Sequence, residues 1–143
     1  LMMILRKVLQ IGIALVILGF ATPSMAAEIL IVNSGNGVAK VSKKNVKKML
    51  LGKTKKWKGG EKVVLGTLSG GAVHEAFIKK FAGKTAKQFT NFWRKMVFSG
   101  KGKMPKSFDS EEDLIAFVAE HDGALGYIDS ATGHDAVKAL TID

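Results

Sequence analysis

Thr67-Leu68-Ser69-Gly70-Gly71 is the stretch best equipped for chemistry. It lies between an apolar run over 62–68, which reads as a strand, and a helical pattern over 72–81. In α/β sheets, ligands bind beyond the carboxyl ends of strands. The first turn of a helix leaves backbone N–H groups without intrahelical partners, and their partial positive charge attracts anions. Gly70 and Gly71 let a ligand approach the main chain closely, while Ser69 and Thr67 add hydroxyl donors. The chemistry offered is reversible oxyanion binding. The same residues also read as a plain serine cap on a glycine turn, the commoner use of such a sequence. Asn33-Ser34 after the first strand, and Tyr127 with Asp129 and Ser130 at a later one, would join the same site if the sheet is parallel. Taken singly, each is an ordinary strand-end sequence.

Other chemistries find little support. Gly35-Asn36-Gly37 follows a strand, but Lys40 stands where a dinucleotide fingerprint needs its third glycine, and the acid expected about 20 residues on is absent. Ser69 has Thr67 two residues before it, not the glycine of a nucleophile elbow. His74, His121 and His134 lack metal-ligand spacing, and there is no cysteine for thiolate or disulfide chemistry. His74-Glu75 reads as a surface pair. No catalytic residue, metal or cofactor is expected, and the protein is read as a binder, not an enzyme.

The elements that must position the turn are legible from periodicity. Strands are expected at 28–33, 62–68, 123–129 and 137–142. Ser42 caps a helix with Val46, Met49 and Leu50 on one face, ended by Gly52. A second helix carries Val73, Phe77 and Phe81 and stops at Gly83. Thr85 caps a third, whose Phe89, Phe92, Trp93, Met96 and Val97 make the clearest amphipathic stripe in the chain. Ser110 with Asp113 resembles a capping box opening a fourth helix to about His121. Residues 99–105 read as a flexible connection. Alternating strands and helices give an α/β class.

The first 26 residues have the parts of a secretory signal: Arg6 and Lys7, an apolar run over 11–21, then Pro23-Ser24-Met25-Ala26 with small residues at the cleavage positions. The run is too short for a membrane-spanning helix, which needs roughly 20 apolar residues. Residues 27–143 then form one domain, and a Gram-negative periplasm is the expected compartment. The whole chain carries a net charge of +10, and +8 remains once Arg6 and Lys7 are set aside. Ten lysines lie between Lys40 and Lys62 against the single acid Glu61. The aromatics sit on core-facing stripes and do not interleave with these lysines, so nucleic acid is not expected. A solvated face is the default, followed by attraction to anionic substrates or lipid headgroups.

In order along the chain, Lys40-Val41-Ser42, then Val46 to Lys53, then Trp57-Lys58-Gly59-Gly60 resembles a stretch of the phosphate-binding proteins of ABC importers. Phe92-Trp93, Phe98-Ser99-Gly100-Lys101-Gly102 with Pro105, and Gly123-Ala124-Leu125-Gly126-Tyr127 are similar to further motifs of that superfamily. The resemblance implies one lobe of a type II periplasmic-binding-protein fold, a central β-sheet flanked by helices. In the full-length proteins a Ser-Gly-Thr turn opening a helix contacts phosphate, with an arginine four residues before the serine. Ser69-Gly70 match the turn; Gly71 takes the threonine's place and Leu65 the arginine's.

The expected function is periplasmic binding of phosphate or a similar oxyanion, for uptake or sensing, through Thr67, Ser69, Gly70 and Gly71 with Asn33, Ser34 and Tyr127 opposite. A homodimer or another envelope protein would supply the second wall. The alternative is a ligand-free adaptor lobe docking on an envelope sensor, porin or transporter.

Overall fold

The computed structural model describes residues 27–143; the expected signal peptide lies outside the described residues. Glu28–Val32 (β1) is apolar on both faces, as a central strand should be, and its last three residues are fully buried. Ser42 accepts from the Asn45 N–H and starts Lys43–Leu50 (α1), which buries Val46, Met49 and Leu50. Val64–Leu68 (β3) leads to Ala72–Phe77 (α2), which continues without a break into a π-helical turn, Ile78–Ala82. Thr85 opens Ala86–Phe98 (α3) with a reciprocal capping box to Gln88, and Phe89 and Trp93 are its buried residues. Ser110 caps Glu111–Glu120 (α4), whose first turn holds Glu111, Glu112 and Asp113 against the positive helix end. Ala124–Asp129 (β5) and Lys138–Ile142 (β6) complete the strands expected from sequence.

Two short edge strands, Lys40–Val41 (β2) and Lys106–Phe108 (β4), extend the sheet to six, in the order β2-β6-β1-β5-β3-β4. β3 runs parallel to both β4 and β5, whereas β1 is antiparallel to both β5 and β6. The sheet is therefore mixed. Consecutive strand residues point to opposite faces. Tyr127 stacks on Phe77 of α2 at 4.1 Å between ring centroids, while Gly126 faces Leu114 and Val118 of α4. Helices consequently cover both faces. One contiguous core runs through both layers and includes Leu30, Ile31, Phe77, Leu114 and Ile128.

Candidate functional site

β3 ends in a fixed geometry. The Leu68 N–H donates to the Tyr127 hydroxyl at 3.0 Å, and the Ser69 N–H donates to the Phe108 carbonyl at 2.8 Å. The chain then turns through Gly71, whose φ of 95° lies in the region open to glycine. Gly71 is the N-cap of α2, and no side chain caps that end. Ser69, Gly70, Gly71 and Ala72 are all exposed. The opening turn of α2 thus presents main-chain donors to solvent at the carboxyl end of β3.

The neighbouring groups are acidic. Ser69 Oγ donates to Asp109 Oδ1 at 2.8 Å, across the β3–β4 pairing. Asp109 is exposed and immediately precedes the Ser110 cap of α4. Glu111 is occupied: its Oε1 accepts from the Asp129 N–H at 2.7 Å and its Oε2 from the Thr132 hydroxyl. An incoming anion must therefore take the Ser69 hydroxyl from Asp109 and tolerate its charge.

Sequence reasoning placed more residues here than the fold does. Because β1 is antiparallel to β5, Val32 pairs with Leu125, whereas β3 pairs Val64 with Ala124. Asn33 and Ser34 therefore lie at the start of β3, about 16 Å along the strand direction from Ser69. Asn33 is also committed: its Nδ2 donates to the Val118 and Ala119 carbonyls, and its Oδ1 accepts from the Gly35 N–H. The shared edge expected for a parallel sheet does not exist for these two residues. Thr67 is buried, with its hydroxyl directed to the Lys106 carbonyl at 3.4 Å. Tyr127 is fully buried beneath the turn and lines no open wall.

His74, expected as part of a surface pair, is 5% exposed and hydrogen-bonded through Nδ1 to the Tyr127 hydroxyl. Since the Leu68 N–H already donates to that oxygen, the hydroxyl hydrogen is free to donate to Nδ1, which puts the imidazole proton on Nε2. Burial lowers the His74 pKa below its usual 6.5, with Glu75 opposing. Burial likewise pushes the Tyr127 phenol up, partly countered by the Leu68 N–H. Folding therefore prefers neutral imidazole, and the unfolded chain binds the proton more readily below pH 6.5. Stability is full above that pH and declines as pH falls. The melting temperature should drop between pH 7.5 and 5.5, and His74→Gln should flatten the dependence; an unchanged slope in the variant would contradict the assignment. No sequence signal pointed to this relay, because it joins residues 53 positions apart. Asp109 was missed for the same reason: the three-residue strand that brings it to Ser69 has no detectable period.

No family model and no curated protein matches this chain. Solved structures do. An ABC-type phosphate transport receptor from Vibrio cholerae superposes with a TM-score of 0.63 at 14% identity, covering 80% of this chain and 45% of that one. A Clostridium perfringens protein solved with bound phosphate gives 0.64 at 23% identity, covering 81% and 44%. PstS from Borrelia burgdorferi gives 0.59 at 14%, covering 82% and 47%. The fold of this lobe is similar to just under half of each of these receptors. This lobe spans less than half the length of the receptors it matches. At such identities the likeness concerns architecture alone. Among the described residues of the lobe, no group of three His, Cys, Asp or Glu side chains could hold a metal ion.

Proposed function

We propose that this lobe binds phosphate or a similar oxyanion at the start of α2, as half of a two-part site, after export to the periplasm. It serves uptake or sensing and acts by binding alone. The observation that carries the reading is the exposed, uncapped opening of α2 at Gly71, beside the Ser69 hydroxyl. The likeness to phosphate receptors supports it. An anion at a helix start gains about 0.3–1 kcal/mol, and up to about 2 when partly buried. Micromolar affinity needs about 8 kcal/mol. A lone lobe with Leu65 in place of an arginine therefore binds weakly until a second copy or another envelope protein covers the turn.

Calorimetry at low salt should register saturable phosphate binding in the millimolar range. Ala72→Pro should abolish it together with Ser69→Ala, because proline is tolerated at the first helical position yet removes one N–H donor. Asp109→Asn should tighten phosphate by about tenfold, since it removes a like charge at hydrogen-bond range from Ser69 even after solvent screening. No heat at millimolar phosphate in wild type and Asp109→Asn alike would sink the reading. The Ser69–Asp109 bond and Leu65 favour the second reading, a ligand-free adaptor that docks on an envelope sensor, porin or transporter. In that case a membrane protein co-purifies, and charge reversal at Lys47, Lys48, Lys55 and Lys56 releases it.

A further inference from the structure

The end of β3 remote from Ser69 borders a different kind of surface. The end of α1, the loop over 53–62, the end of α3 and residues 101–106 enclose a groove of about 600 Å³. Met49, Leu65, Trp93 and Met96 are among its apolar lining residues. Lys55, Lys56, Lys62, Lys101, Lys103 and Lys106 also line it, and no carboxylate does. Among the described residues the single ion pair is Lys40 with Asp143, so these six ammonium groups have no acidic partner within the lobe.

The chain that closes the groove also bears the large exposed hydrophobic side chains of the described residues. Val97 is 45% exposed, Met104 48% and Phe98 95%. From Arg94 to Lys106 there are one arginine, four lysines and no acid. An aromatic ring held almost wholly in water is unfavourable unless something covers it. A surface pairing a small apolar tip with long, adaptable cationic side chains matches the boundary between acyl chains and anionic headgroups. Lysine stems lie along apolar surface while their ammonium groups reach outward. No described helix is long and apolar enough to cross a membrane, so this contact would be peripheral.

We propose that residues 94–106, with the lysine-lined groove behind them, dock the lobe on an anionic lipid bilayer, with Phe98 entering the headgroup boundary and Lys101 and Lys103 meeting lipid phosphates. The site lies at the opposite end of β3 from the α2 turn and does not depend on anion binding there.

The test uses the full chain carrying Phe98→Trp, mixed with vesicles of phosphatidylglycerol and phosphatidylcholine or of phosphatidylcholine alone. Subtracting the wild-type signal of the buried Trp57 and Trp93 isolates the indole at position 98 and separates this face from the apolar run over 11–21. Its emission should shift to the blue and be quenched by brominated lipid on the anionic vesicles only, and added salt should reverse both changes. Lys101→Glu with Lys103→Glu should weaken partition of the native chain more than about tenfold. Phe98→Ser should weaken it by about tenfold, with the melting temperature of both variants unchanged. An indole that stays in water on saturating anionic vesicles overturns the proposal. So does equal partition onto phosphatidylcholine, and so does shielding that follows protein concentration without lipid, which would assign the patch to a second copy.

Discussion

Gly123→Ala should leave little folded protein. A methyl group at this position would stand 1.8 Å from the Lys62 carbonyl oxygen, a main-chain atom with no rotamer to escape into. Neither strand can retreat cheaply. The Gly123 carbonyl accepts from the Val64 N–H at 2.9 Å and from Trp57 Nε1 at 3.0 Å, so displacement breaks the first rung between β3 and β5 and unseats a buried indole. The expected loss exceeds about 4 kcal/mol, a large share of the roughly 5–15 kcal/mol that holds a domain together. Denaturant midpoints should be compared with Gly59→Ala, where the added methyl meets nothing within 4 Å and the cost should stay below about 0.5 kcal/mol. Similar midpoints for the two variants would refute the close contact.

Trp93→Ala comes next, with an expected loss of about 3–5 kcal/mol. The indole is 6% exposed, and its Nε1 donates to the Leu50 carbonyl at 3.1 Å, satisfying a group that the end of α1 leaves open. Its ring edge lies where methyl groups on Gly52 and Gly102 would fall, at 2.7 and 3.1 Å, so the end of α1 and the segment after α3 both close around one side chain. Trp93→Phe keeps part of the volume and loses the hydrogen bond, and should cost about 1–3 kcal/mol. Urea unfolding followed by circular dichroism distinguishes the two. Equal midpoints for Trp93→Ala and wild type would mean that the ring does not tie α3 to α1.

Much of this architecture is legible along the chain because it is local. The Phe89–Trp93 stripe announces α3, and the Ser42, Thr85 and Ser110 caps lie where short polar side chains precede apolar periodicity. The full capping box falls at Thr85 with Gln88, since the Gln88 side chain reaches back to the cap N–H; Asp113 provides only its own N–H to Ser110. What escapes sequence reading is set by partners far along the chain. β2 and β4 have two and three residues, too few to show alternation. The direction of β1 depends on its pairing with β5, which no local pattern encodes, and that direction separates Asn33 and Ser34 from Ser69. A turn after β3 is legible from the sequence, whereas the packing around it is not. Ser69, Gly70 and Gly71 stand exposed as expected, while Tyr127 and Thr67 support the turn from within.

The central strand has one further consequence, for synthesis. Leu30 pairs with Tyr127 on one side and Leu140 on the other, so both flanking partners follow it by about a hundred residues. A nascent polypeptide leaving the ribosome therefore holds β1 unmatched until β5 and β6 have been made. Such distant pairings are slow to form, which leaves an interval in which the chain is still threadable.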